Sequence, residues 1–148
     1  MPKGIVRLQR VIRANPERIY RAFLDPDAMA KWLAPYGHTC KVQQMDAKVG
    51  GTYKMSFTNF ASGHSMSFGG EYRELVPSET IRYTASFDDP NLPGEMQTTV
   101  TLKQVSCGTE LNVKQEGISE FIPLDMCYLG WQESLLQLPN LVEPEIAN

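Results

Sequence analysis

The chain predicts an α+β fold in which a long amphipathic C-terminal helix lies across an antiparallel sheet. Three observations predict it. Period-two alternation of apolar and polar residues runs from about residue 39 to residue 117, broken by turn residues at regular intervals. An apolar seam follows, with Phe121, Leu124, Tyr128, Trp131, Leu135, Leu138 and Val142 recurring at alternating steps of three and four. The strands carry one dry face each, and the terminal segment is the stretch long enough to cover it.

Taken in order, residues 5–13 alternate as a first strand, with adjacent Val11 and Ile12 marking a bulge or a buried end. Asn15-Pro16-Glu17 then places a capping side chain, a proline and a carboxylate in the first turn of a short helix whose apolar side is Ile19, Ala22 and Phe23. Asp25-Pro26-Asp27 ends that helix and caps a second one through Met29, Trp32 and Leu33, which Pro35-Tyr36-Gly37 closes. Strands follow near 39–46, 51–58, 65–75, 80–87, 96–105 and 109–116. Gly50-Gly51, Ser62-Gly63, Pro77-Ser78, the loop from Asp88 to Gly94 and Ser106-Cys107-Gly108 separate them. Short consecutive connections predict a meander. Ile81, Tyr83, Ala85 and Phe87 share the dry face of their strand, as do Val100 with Leu102 and Leu111 with Val113. In the terminal helix Gly130 costs roughly 1 kcal/mol against alanine, so something beside Trp131 needs space: a close sheet contact or an enclosed guest. Pro139 removes one hydrogen bond and predicts a kink.

At 148 residues, one domain spanning 1–148 is long enough to bury a core without metal or disulfide staples. No apolar run approaches the roughly 18 residues of a membrane span, and the start lacks the apolar region of a signal peptide, which makes the cytoplasm the expected compartment. Cys40, Cys107 and Cys127 are too widely spaced for a metal or redox pair and read as reduced thiols. Residues 1–54 hold 10 Lys and Arg against 4 Asp and Glu, while residues 55–148 hold 4 against 13. Such a split either marks a surface for an acidic partner or is neutralised internally, if Arg7, Arg10 and Arg13 lie beside Glu110, Lys114 and Glu116. Scattered arginines and a net charge of −3 exclude a nucleic-acid surface.

Several segments resemble one family. Asn15-Pro16-Glu17-Arg18-Ile19-Tyr20-Arg21-Ala22-Phe23, with Asp25-Pro26 and Trp32, is similar to the opening of bacterial proteins related to the C-terminal domain of the activator of Hsp90 ATPase. So are Gly50-Gly51-Thr52-Tyr53, Gly70-Glu71-Tyr72-Arg73-Glu74 with Pro77, the strand from Ile81 to Thr84, and Gly130-Trp131 with Leu135 and Leu138. These proteins form a branch of the START and Bet v 1-like (SRPBCC) superfamily. The resemblance implies the helix-grip fold, a seven-stranded curved sheet wrapped around the terminal helix with a hydrophobic cavity between them. It implies less about activity, because members bind lipids, sterols or polyketides, assist chaperones or catalyse cyclisation. The eukaryotic co-chaperone has an additional N-terminal domain, for which a first strand beginning near Ile5 leaves no room, so Hsp90 activation is not carried over.

Chemistry is thinly signalled. His38 and His64 have no second ligand at helical spacing and read as surface or turn residues. Gly63-His64-Ser65-Met66-Ser67 approaches a nucleophile elbow, but it ends in serine and lies in an antiparallel hairpin. Asp88-Asp89 sits among Pro90, Asn91 and Pro93, the composition of a solvated loop. No catalytic residue, metal ligand or cofactor is assigned. The candidate ligand-binding residues are Trp32, Phe57, Phe68, Tyr72, Tyr83, Phe87, Tyr128, Trp131 and Leu135, on elements that face the gap between helix and sheet. Core packing is the competing role for each of them. Met29, Met55 and Met66 can adapt to several guest shapes or fill gaps.

The leading reading is therefore a binding module for a small hydrophobic molecule. A polyketide-cyclase-like enzyme is the alternative, with Tyr72, Tyr83 and Glu133 as proton donors and acceptors. A third reading has Arg18, Arg21 and Lys31 dock an acidic partner such as a chaperone, and a strand edge or spare apolar helix face would allow a homodimer.

Overall fold

In the computed structural model, which describes residues 4–148, two short helices follow the first strand and six further strands lead to the long helix. The elements are β1 (Gly4–Ile12), α1 (Pro16–Leu24), α2 (Pro26–Trp32), β2 (His38–Met45), β3 (Thr52–Asn59), β4 (Ser65–Val76), β5 (Thr80–Phe87), β6 (Met96–Val105), β7 (Gly108–Ile118) and α3 (Leu124–Val142). The capping signals act as their chemistry requires. Asn15 Oδ1 accepts from the Arg18 amide at 2.8 Å, Asp25 Oδ1 accepts from the Ala28 amide at 3.0 Å, and a proline opens each helix.

The strands form one antiparallel sheet in the order β1-β7-β6-β5-β4-β3-β2, open and curved. Everything from β2 to β7 is a meander, and β1 crosses over to pair with β7. Register shifts fall between Val42 and Gln44 in β2 and between Tyr72 and Glu74 in β4, where extra residues bend the sheet around the helix. In β1 the shift falls at Gly4/Ile5, and the Val11-Ile12 pair is instead a buried end, with Ile12 in the core and Val11 exposed. β1 does lie beside β7, although neither of its arginines stands directly opposite a carboxylate. Arg7 stands opposite Lys114, and Lys114 pairs with Glu116 of its own strand at 3.4 Å. No helix among the described residues is long and apolar enough to cross a membrane.

The seam of α3 is buried over only half its length. Leu135, Leu138 and Val142 join a core with Ile12, Ile19, Phe23, Trp32, Ile81, Val100 and Leu111. Towards the other end Leu124 and Tyr128 are exposed, and Phe121 is 65% exposed and precedes the helix, which begins at Leu124. Tyr128 turns aside to the edge strand, where its hydroxyl accepts from the Arg7 amide at 3.4 Å. The helix also runs through Pro139 to Val142, and the Glu143 amide bonds back to the Pro139 carbonyl at 2.9 Å. A smaller cluster of Val6, Ala85, Met96 and Ile118 lies under the first turns of α3, with Trp131 packed against both clusters.

Polar side chains fix the buried half in place. The carbonyls ending α2 have no partners within their own helix, and α3 supplies them. Ser134 donates to Leu33 O, while Gln137 Nε2 donates to Trp32 O at 2.9 Å and Ala34 O at 2.6 Å. At the other terminus Arg18, proposed from sequence to dock a partner, donates to Val142 O at 2.9 Å, and Glu143 accepts from the Arg13 amide at 2.9 Å. Replacing Gln137 with Leu strands two carbonyls and is expected to lower stability by about 1–3 kcal/mol, measured by urea denaturation. Replacing Gln132, which points into solvent on the same helix, should change it by less than about 0.5 kcal/mol.

Candidate functional site

Because α3 is seated at one end, a pocket of about 390 Å³ opens beneath its first turns, within the range of small-molecule sites. Its floor is the dry face of the sheet: Tyr53, Met55 and Phe57 of β3, Met66, Phe68 and Tyr72 of β4, Tyr83, Ala85 and Phe87 of β5, Met96 of β6 and Gln115 of β7. Phe23, Met29 and Leu33 close one side. Phe121, Ile122, Met126, Cys127, Gly130, Trp131 and Ser134 form the roof. None of the lining side chains is Asp, Glu, Lys, Arg or His, and five of the chain's seven methionines are among them.

The rings form two groups. Phe57, Phe68 and Phe87 meet edge to face, with centroids 4.8 Å and 6.1 Å apart, and Tyr53, Tyr72 and Tyr83 cluster at 5.6 to 6.3 Å. Tyr72 is held by its backbone. The Gly50 amide donates to its carbonyl at 2.8 Å and its own amide donates to Gly51 O at 2.9 Å. Gly51 and Gly70 fit there because a Cβ on either would overlap a carbonyl oxygen, that of Asp46 or Thr84. The glycine motifs read from sequence thus position a wall residue.

Polar groups enter the wall along one line. The Trp131 Nε1–H donates to Gln115 Oε1 at 3.1 Å, and Gln115 Nε2 donates to Thr98 Oγ1 at 3.3 Å. Thr98 stands directly opposite Tyr83, with its hydroxyl towards the phenol. Tyr53 donates to Thr84 O at 2.7 Å. Burial raises all three tyrosine pKa values, Tyr72 to about 12. Tyr53 and Tyr83 are raised further by neighbouring phenols, and the Thr98 hydroxyl offsets part of the rise at Tyr83. The Cys127 thiol is also raised, by burial first and Asp125 second, which keeps it a protonated, weak nucleophile at neutral pH.

Of the nine residues picked from sequence, Phe57, Phe68, Tyr72, Tyr83, Phe87 and Trp131 line the pocket. Trp32, Tyr128 and Leu135 do not. Trp32 is fully buried, edge-on to Phe23 at 4.8 Å with its indole donating to Ala22 O. Leu135 packs in the main core, and Tyr128 caps the sheet edge. Glu133 is likewise outside the wall, accepting from the Tyr36 amide at 3.0 Å. Thr98 and Gln115 were missed, although each is a polar residue in phase with apolar ones, Thr98 with Val100 and Leu102, Gln115 with Leu111 and Val113. Gly130 has no close sheet contact. A Cβ there would meet nothing within 4 Å.

The remaining motifs are structural. His38 Nδ1 lies 3.1 Å from Tyr36 O, and His64 is exposed at a hairpin tip. Asp88 pairs with Lys54, and Asp89 Oδ1 accepts from the Asn91 amide at 2.9 Å. The three cysteines are free, and no cluster able to hold a metal occurs among the described residues.

A family model described as activator of Hsp90 ATPase homolog 1-like protein matches residues 13–143. A crystal structure of a protein from Chromobacterium violaceum is 61% identical, with a TM-score of 0.94, covering 95% of this chain and 98% of that one. Structures from Rhodobacter sphaeroides (18% identical, TM-score 0.82, covering 95% and 96%) and Nitrosomonas europaea (17%, 0.80, 94% of each) share the fold. No curated protein matches the chain.

The tyrosine cluster sets an alkaline limit. Up to the ordinary phenol value of 10.0, these groups are neutral whether the chain is folded or not. Above it the unfolded chain ionises while the folded one resists, so stability falls as pH rises from 10 towards 12. Titration by tyrosinate absorbance should show Tyr53, Tyr72 and Tyr83 ionising late and together with unfolding. Three early, independent ionisations would contradict their burial.

Proposed function

The chain belongs to the activator of Hsp90 ATPase homolog 1-like family, and from that premise we propose that it is a binding protein that encloses a small apolar molecule between α3 and the sheet. The observation that carries this reading is a pocket of about 390 Å³ whose wall holds no charged side chain among the described residues. Each 100 Å² of apolar guest surface removed from water there contributes roughly 2.5 kcal/mol. Methionines on three sides let the wall adjust to more than one guest outline. The start of α3 is the entrance. It has no side-chain cap, and the apolar residues around it are the exposed ones, Phe121, Met126 and Leu129.

Gly130 supports the same reading. A helix-interior glycine costs roughly 1 kcal/mol, and here no neighbouring atom requires it. The space it leaves belongs to the pocket.

Native mass spectrometry of freshly purified protein should show a non-covalent adduct of small mass. Thermal shift across uncharged apolar compounds should raise the melting temperature, with about 2.7 kcal/mol of stabilisation at one hundred times Kd. Replacing Gly130 with Ala should stabilise the empty protein by about 1 kcal/mol. Replacing it with Leu should keep the fold and abolish the ligand-induced shift. A Leu variant that still responds to every ligand, or a wild-type protein with neither adduct nor shift, overturns the reading.

A further inference from the structure

In the pocket wall the Tyr53 and Ser134 hydroxyls are spent on the Thr84 and Leu33 carbonyls, and further polar groups lie along one transverse line. Gln115, Thr98, Tyr83 and Tyr72 stand opposite one another on four adjacent strands, and Trp131 reaches the line from α3. An indole N–H can only donate, so it turns the Gln115 carbonyl towards the helix and the Gln115 amide towards Thr98. Thr98 Oγ1 accepts that amide, and Tyr83 stands directly opposite Thr98 on the next strand. The Tyr83 phenol lines the pocket and donates to no acceptor among the described residues. Beyond it stands Tyr72, 3% exposed, whose hydroxyl has no partner among the described residues although it lines the same space. Two phenol donors at one end of an otherwise dry chamber call for an acceptor.

We propose that the preferred guest is an uncharged molecule with a hydrocarbon body and a carbonyl oxygen at one end, which accepts hydrogen bonds from Tyr72 and Tyr83. This rests on the apolar-pocket reading and narrows it. A carbonyl oxygen has two lone pairs and takes both donors. Among the described residues the chamber wall offers no cation to a carboxylate and no anion to an ammonium, so fatty acids and amines are discriminated against by desolvation.

The test uses the whole protein and three probes of equal carbon number: a medium-chain methyl ketone, the corresponding alkane and the corresponding carboxylic acid at pH 7. Affinities are read by displacement of a bound apolar fluorophore. The ketone should bind about tenfold tighter than the alkane and tighter than the acid, the worth of one good hydrogen bond. Tyr72→Phe removes an unpartnered hydroxyl and should remain folded while reducing the ketone-to-alkane ratio to about threefold or less. Tyr83→Phe should reduce it too, so a folding defect in either variant leaves the other decisive. Equal binding of ketone and alkane by the wild type, an unchanged ratio in both variants, or an acid as tight as the ketone overturns this inference while leaving the apolar pocket standing. Failure of all three probes to bind takes both down.

Discussion

Leu135, Leu138 and Val142 pack into a core shared by the sheet and both short helices, and the placement of every other part depends on that contact. The strands alone present a dry face that water would occupy. The short helices alone bury only one side each. Once the last two turns of α3 are seated, the sheet is covered at one end, Phe23 and Trp32 are enclosed, and the carbonyls ending α2 find donors on Ser134 and Gln137.

The seating is asymmetric, and the asymmetry creates the site. Hydrogen bonds from Arg18, Ser134 and Gln137 and the one accepted by Glu143 crowd the second half of α3. The first half has one polar link to the sheet floor, from Trp131 to Gln115, and one to its edge, at Tyr128. A helix pressed equally along its length would have closed the gap with Tyr128 and Leu124. Instead those residues turn to the β1 edge, Tyr128 at Arg7 and Leu124 against Gly4, and Gly130 leaves further room beneath.

Most of the fold was legible because one face of each strand is dry and period two shows it directly. Caps at Asn15 and Asp25 set both short helices for the same reason, since their chemistry is local. The pocket was half legible. Six wall residues follow from strand parity and the Trp131 position, but Trp32 and Leu135 share that apolar character and lie elsewhere. Sequence spacing places a ring on a face; it does not say which end of α3 is tied down. Pro139 lies inside α3, which continues past it with the Glu143 amide bonded to its carbonyl. Thr98 and Gln115 carried a signal of their own as polar residues at dry-phase positions.

The pairing of β1 with β7 has a consequence for how the chain reaches this state. Each hairpin from β2 to β7 closes a short loop, whereas the β1 ladder joins Ile12 to Thr109 and Val6 to Gln115 across most of the polypeptide. Loop-closure entropy makes that union the late and slow one. During synthesis β1 is made before its partner β7, so Val6 and Ile12 wait without their sheet partner while the intervening strands are added. The unpaired β1 is therefore the natural place for a partly folded chain to misassociate with a neighbour.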